Sequence, residues 1–242
     1  MKMDEWNART ELLLGKEALL KLKNARVAVF GLGGVGGYAA HALARSGIGS
    51  IDLIDNDKVA LSNINRQLVA YHSTVGLDKV QVIANQLLDI NPDLKIVQHN
   101  LFFLPQNADQ IDFSVYDYVL DAIDTVSGKL EIIKRCNALG VPVVSCMGTG
   151  NKLHPEMLEL ADIYQTSVCP LARVMRSLCR KNGIEKLTVV YSKEPAMPPC
   201  APASSENRRQ VPGSAVFVPG AAGLLMASKA VQDLIVEEKE RA

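Results

Sequence analysis

The chain lacks the features of a metal-stapled or secreted domain. Its 242 residues hold five cysteines (Cys136, Cys146, Cys169, Cys179 and Cys200), and no two stand in a C-x-x-C pair. That spacing excludes an ordinary structural zinc site, and the odd number argues against a disulfide framework. In a reducing compartment such thiols pack as small apolar groups. Neither sign of charge is in excess: 26 Lys and Arg face 26 Asp and Glu. A purely electrostatic nucleic-acid binder is basic, so any RNA contact has to come from a local patch. The sequence has no apolar run of membrane-spanning length, no charged-then-apolar signal at its start and no internal repeat. These absences predict a cytoplasmic protein with no membrane insertion.

What is present is globular: 48% of residues are hydrophobic and 21% charged. Residues 10–23 read as one amphipathic helix. The short apolar run at 26–30 reads as a buried parallel strand, and 50–54, 95–99, 116–122 and 141–147 read as further strands. Helical segments at 35–46, 79–90 and 129–139 alternate with them. This alternation predicts an α/β fold, a Rossmann-like and mostly parallel sheet with helices on both faces. Past Gly150 the pattern changes. A strand at 160–165, a basic helix at 171–181, a strand at 187–192 and an apolar helix at 217–235 predict a C-terminal α/β extension with additional strands. Residues 194–212, rich in Pro, Ser and Ala, read as a mobile functional loop. We expect a single domain over 1–242, with a nucleotide-binding half at 1–150 and a substrate-facing half at 151–242.

Gly31-x-Gly33-Gly34-x-Gly36 follows the first strand and opens a helix. Such a turn lets backbone approach a ligand and points free N–H groups at anions. Asp55 closes the second strand, at the distance where a carboxylate can meet ribose hydroxyls. NAD, FAD and ATP binders share that pattern. Asn63, Arg66 and Lys79 then add two cations beyond the second strand, where a departing pyrophosphate needs charge stabilisation. Residue types alone leave open a solvated first-turn lysine at 79 and a surface salt bridge at 66. Asp124 follows the fourth strand and reads either as a Mg²⁺ ligand or as a helix cap.

Gly-x-Gly-Gly-x-Gly, Asp55-x-Asp57, Ser62-Asn63-x-x-Arg66-Gln67, Gly76-x-x-Lys79 and Asp121-x-x-Asp124 together resemble the ubiquitin-activating-enzyme-like (ThiF/MoeB-type) adenylyltransferase superfamily. The resemblance runs from about residue 9 to 236. It implies an ATP site built from Gly31, Gly33, Gly34, Gly36, Asp55, Asp57, Asn63, Arg66, Gln67 and Lys79, with Asp55 on the ribose. It implies catalytic roles for Arg9, Arg66, Lys79 and Asp124, with Asp124 serving Mg²⁺. Arg9 matches an arginine that family members insert into a partner subunit's ATP site, which implies a homodimer.

The second half resembles one branch, the tRNA threonylcarbamoyladenosine dehydratases. The matching strings are Gly148-Thr149-Gly150-Asn151-Lys152-Leu153-x-Pro155, Ala161-Asp162-Ile163, and residues 166–176. Val189-Val190-Tyr191-Ser192-x-Glu194-Pro195 and Gly213-Ser214-Ala215-x-Phe217-Val218-Pro219 match as well. Sulfur-carrier activators of the superfamily usually carry paired C-x-x-C ligands and often a rhodanese-like extension. The chain shows neither, and that is expected of the dehydratase branch. The resemblance implies ATP-dependent dehydration of N6-threonylcarbamoyladenosine in the tRNA anticodon loop, through an acyl-adenylate of the threonyl carboxylate.

The spacing of Arg173, Arg176 and Arg180, with Lys181, puts a basic stripe on one helix. It reads either as a tRNA phosphate-binding stripe or as a solvated face. Arg208 and Arg209 in the loop read either way too. Cys200 is a loop thiol with no neighbour that would lower its pKa, and Cys169 reads as a packing residue. The main alternative function is adenylation of the C-terminal Gly of a ubiquitin-like sulfur carrier. A nicotinamide-dependent oxidoreductase and a non-catalytic nucleotide-binding scaffold are the others. The sequence leaves open the ring formed, the tRNA preference, a sulfur-transfer protein partner and a monovalent cation.

Overall fold

The computed structural model describes residues 5–198 and 212–236. Two short helices, α1 (Ala8–Leu14) and α2 (Lys16–Asn24), open it. One helix was expected here. Gly15 splits it, because its φ of 83° is left-handed and ends the first helix. Leu12 and Leu13 are then left 88% and 82% exposed rather than packed on the core.

The sheet elements follow in alternation: β1 (Arg26–Phe30), α3 (Gly36–Arg45), β2 (Ser50–Ile54), α4 (Lys79–Ile90), β3 (Lys95–His99), β4 (Tyr118–Asp121), α5 (Val126–Leu139) and β5 (Val143–Cys146). The C-terminal part adds β6 (Leu158–Asp162), α6 (Pro170–Lys181), β7 (Thr188–Ser192) and α7 (Phe217–Ile235). Among the described residues seven strands form one sheet in the order β3-β2-β1-β4-β5-β7-β6. All pair in parallel except β6, which runs antiparallel to β7 at the edge. Helices α3, α4 and α7 cover one face, while α5 and α6 cover the other. That explains why β1, β2 and β4 read as continuous apolar runs.

Several bounds differ from expectation. The strand expected at 116–122 is only Tyr118–Asp121, and that at 141–147 only Val143–Cys146. The strand expected at 160–165 begins at Leu158 and stops at Asp162. There the Asp162 side chain accepts from Tyr164 N (2.8 Å) and Leu187 N (3.1 Å), turning the chain into a short 3-10 helix. The helix expected from 129 starts at Val126. The expected mobile loop is anchored at its start: Glu194 is buried, and its carboxylate accepts from Leu153 N and His154 N. Residues 199–211 lie outside the described residues, and with them Cys200, Arg208 and Arg209.

Strand register positions the site. Phe30 pairs with Ile54 and with Asp121, Ile54 with His99, and Asp121 with Ser145. The segments leaving five parallel strands therefore emerge along one edge, in the order 100–103, 55–57, 31–36, 122–125 and 147–151.

Beneath that edge sits a buried charge, Asp52 on β2. It accepts from Arg26 Nε and Nη2 (2.9 and 3.0 Å), from Tyr116 Oη (3.0 Å) and bonds His99 Nε2 (3.0 Å). Burial pushes its carboxyl up; the bonds from His99, Arg26 and Tyr116 outweigh burial and hold it below the ordinary value. Burial and the Asp52 charge push the Tyr116 phenol upward. A carboxyl depressed in the folded state stabilises the fold above about pH 4 and loses that contribution as pH falls through the folded value. Asp52→Asn is expected to lower the thermal midpoint at pH 7 and to flatten its decline below about pH 4. An acid limb as steep as the parent's in calorimetry would contradict this.

Candidate active site

The glycine turn is shaped by two close approaches. A Cβ on Gly31, whose φ is 84°, would lie 2.8 Å from the Ala122 carbonyl oxygen. One on Gly36 would lie 1.8 Å from the Gly31 carbonyl oxygen. These two glycines allow backbone packing. Gly33 and Gly34 line a cleft of about 560 Å³ at the carboxyl ends of the strands.

Asp55 shares that cleft. Its Oδ2 accepts from Leu32 N (2.7 Å) and its Oδ1 from Asp57 N (2.8 Å), so the carboxylate is held between turn and strand end. Asn63 ends a short 3-10 helix. Its Oδ1 accepts from Ala60 N (3.1 Å), which leaves its amide N–H groups free among the described residues. Arg66 is half-buried and donates to Ser62 O (2.8 Å) and Asn65 Oδ1 (3.0 Å). No carboxylate pairs with it among the described residues, so it is not a surface salt bridge. Lys79 opens α4 and is 4% exposed, which excludes a solvated first-turn lysine. Its Nζ donates to Asp57 Oδ2 at 2.7 Å, and its N–H donates to the Asp57 carbonyl. Asp57 thus aims the lysine into the cleft.

Gln67 is buried against the same cleft, with its Oε1 buried and without a partner among the described residues. An orphaned acceptor there is costly unless a ligand satisfies it. Asp124 is exposed to the cleft. The cap position of α5 belongs to Thr125, and the Asp124 carboxylate bonds nothing among the described residues. Capping is therefore not its role. Among the described residues no cluster of three or more His, Cys, Asp or Glu could hold a metal alone. A single free carboxylate beside two cations instead suits a cation such as Mg²⁺ shared with phosphates.

Sequence reasoning missed one part of the site and one support beneath it. Leu101, Phe102, Phe103 and Ile123 form an apolar wall at the β3 end of the cleft, suited to a flat ring. Asp121 and Lys129 form an ion pair, fully buried, at 2.9 Å. Lys129 stands on the apolar face of α5 with Ile132, Ile133 and Cys136, and a charge on such a stripe was the available signal.

Other expected residues lie apart. Arg9 is exposed on α1, which packs toward Gly47, Gly49 and Lys95 at the opposite edge of the sheet, so it does not line this chain's cleft. On α6 the expected arginine stripe is partly engaged. Arg176 donates to both Thr166 O and Thr166 Oγ1 (2.7 Å each), and Arg180 stacks 5.2 Å over Tyr164. Helix α6 starts beside Gly148, where a Cβ would lie 3.8 Å from Cys169 Sγ. It then runs away from the cleft, placing Arg180 and Lys181 about 15 Å beyond its start. Arg173 is exposed near the cleft end. Cys169 is buried, and burial pushes the Cys146 thiol up to about 12 and Cys179 up to about 11. None of these is a ready nucleophile.

A glycine turn, a ribose-distance acid, an arginine without a carboxylate, a lysine paired with one exposed carboxylate and a free carboxylate in one cleft define a nucleotide-dependent α/β enzyme class. The chain belongs to the ThiF family, which it matches over residues 7–241. It is 40% identical to the tRNA threonylcarbamoyladenosine dehydratase of Bacillus subtilis (strain 168), covering 94% of each chain. It is 35% identical to that of Escherichia coli (strain K12), covering 97% of this chain and 96% of the other. Among solved structures, E. coli tRNA N6-threonylcarbamoyladenosine dehydratase, TcdA, in complex with ATP superposes with a TM-score of 0.89 at 33% identity, covering 100% of both chains.

The two kinds of glycine separate experimentally. Gly36→Ala is expected to destabilise the fold by about 2–3 kcal/mol, because backbone has to move. A Cβ on Gly33 meets nothing closer than 3.8 Å, so Gly33→Ala is expected to leave the thermal midpoint unchanged. Equal midpoints for the two variants would contradict the assignment.

Proposed function

We infer that this protein is an ATP-dependent tRNA threonylcarbamoyladenosine dehydratase. The observation that carries the chemistry is the pair of cations left without full compensation: among the described residues Arg66 has no carboxylate, and Lys79 is offset only by the exposed Asp57. They share one cleft with the free Asp124. Kinship over nearly the whole length supports the substrate.

The cleft crosses five strand ends, so a nucleotide lies along it. The wall of Phe102 and Ile123 takes the adenine, and Asp55 takes the ribose hydroxyls. The glycine turn offers backbone N–H groups to the phosphates, and Asn63, Arg66 and Lys79 hold the pyrophosphate end. The β5 end, with Thr149 and Ser214, is left for the acceptor. An oxygen of the threonyl carboxylate attacks the α-phosphorus. A new O–P bond forms as the α–β bridge breaks, and pyrophosphate departs into Arg66 and Lys79. The acyl-adenylate then loses AMP to an atom of the same modified base, closing a ring. The net change is loss of one water, with no enzyme nucleophile needed. Asp124 would hold Mg²⁺, which supplies charge neutralisation between phosphate oxygens.

The active unit is a homodimer in which Arg9 reaches the other copy's cleft. Leu12 and Leu13 beside it, with Trp6 and Leu20, form an exposed apolar face that a second copy would cover. The tRNA approaches from the β5 side, with Arg173 nearest and Arg180 and Lys181 available to more distant phosphates. A tRNA substrate supports a cytoplasmic location. Among the described residues no helix is long and apolar enough to cross a membrane.

The test combines the protein, ATP, Mg²⁺ and tRNA bearing N6-threonylcarbamoyladenosine, followed by nucleoside mass analysis. The expected product is lighter by one water, with AMP and pyrophosphate released. Arg66→Ala is expected to lower kcat/KM at least about 100-fold. Lys79→Met is expected to raise the Kd for ATP about 10–100-fold while moving that for AMP less than about threefold. An unchanged nucleoside despite ATP binding would overturn the reading and direct the next assay to a Gly-Gly-tailed ubiquitin-like protein.

A further inference from the structure

Beneath the cleft, Asp121 and Lys129 are both fully removed from solvent, and neither lines the cleft. Apolar side chains of the same volume usually serve stability as well as a buried ion pair does. The bonds around this one point to a different purpose. Lys129 Nζ donates to Asp121 Oδ2 and to the Ile123 carbonyl oxygen, at 2.9 Å each. Asp121 Oδ1 accepts from Ile123 N (3.3 Å), and Ser145 Oγ on β5 donates to Asp121 Oδ2 (2.5 Å). Both backbone polar atoms of Ile123 are therefore fixed by the pair. On the other side Ala122 N donates to the Phe30 carbonyl (2.8 Å), and the Ala122 carbonyl abuts Gly31. The turn from β4 to α5 is clamped from below by Lys129 and from the side by the glycine turn. Asp124 is the next residue along that turn.

We infer that Lys129 is a positioning residue for the reaction: through the Ile123 carbonyl and Asp121 it sets the turn that presents Asp124 to the metal and phosphates. The inference rests on the reading of Asp124 as the cation ligand. Lys129 touches no reacting atom. Its ammonium replaces the backbone partner that the Ile123 carbonyl would otherwise find in a longer strand or an earlier helix start. Loss of the clamp leaves nucleotide contacts at Asp55, Asn63 and Arg66 in place. It frees the Asp124 carboxylate to sample several directions and loosens Ile123 at the adenine wall, so metal affinity and turnover fall more than metal-free ATP affinity.

The variant Asp121→Asn/Lys129→Met removes both charges at nearly constant volume, so no lone buried charge is stranded. Asp121→Asn/Lys129→Gln is the second version, should the first not fold, and carries the same expectation. Mn²⁺ binding to the protein–ATP complex is titrated by electron paramagnetic resonance, independently of turnover. Half-saturating Mn²⁺ is expected to rise about tenfold or more. ATP affinity in EDTA is expected to fall by a smaller factor than Mn²⁺ affinity, because only Ile123 of the nucleotide contacts is loosened. Adding Asp124→Asn to the pair is expected to lower kcat no further than Asp124→Asn alone, because the two act through one group. A parent-like Mn²⁺ curve in the double variant, or losses that multiply, would overturn the role of Lys129. A parent-like curve in Asp124→Asn would instead overturn the reading of Asp124 itself. Absence of product with the parent protein would overturn the dehydratase reading while the Mn²⁺ comparison still decided on Lys129.

Discussion

The structure depends on one backbone contact, where the turn leaving β1 lies directly against the segment leaving β4. Gly31 meets the Ala122 carbonyl with no room for a side chain, and Gly36 folds back on Gly31 just as closely. This contact brings the N-terminus of α3 to the same edge as the β4–α5 turn. The glycine turn and Asp124 can then face one ligand. Parallel register extends that edge from β3 to β5, which is why a single cleft has an apolar end, a polar middle and an open end. Covered on both faces, the sheet can hold its functional groups only at the strand ends.

Charge is distributed unequally along that edge. Asp52 and Asp121 lie under it, and each is matched by several donors, so they tie elements together. Above it, Arg66 is held by neutral acceptors and Asp124 by nothing among the described residues. Compensated charges hold the frame, while uncompensated ones await a ligand. Gln67 adds a buried acceptor without a partner among the described residues, on the same cleft.

Much of this was readable from the chain. Strands at 26–30, 50–54 and 95–99 and the helices at 79–90 and 217–235 coincide with expectation, because apolar runs bounded by Gly, Asn or Pro carry their own punctuation. The glycine spacing and the Asn63-x-x-Arg66-Gln67 string bring their residues into one cleft because they follow strand ends directly. What was unreadable depends on contacts distant in sequence or on local competition. Lys129 meets Asp121 only through the turn it clamps. Phe102 joins the site because β3 lies beside β2. Arg176 is drawn from its stripe by Thr166, and Gly15 divides a helix whose apolar periodicity runs through it. The expectation at Cys200 falls outside the described residues.

The central claim is that the threonyl carboxylate attacks the α-phosphorus of ATP in this cleft. Substrate tRNA carrying ¹⁸O in that carboxylate, turned over once and analysed by mass spectrometry, tests it most directly. The account predicts one ¹⁸O in the released AMP and none in pyrophosphate, since the O–P bond made in the first step survives when the acyl C–O bond breaks in the second. Label in inorganic phosphate together with ADP would contradict it, as would AMP released without label.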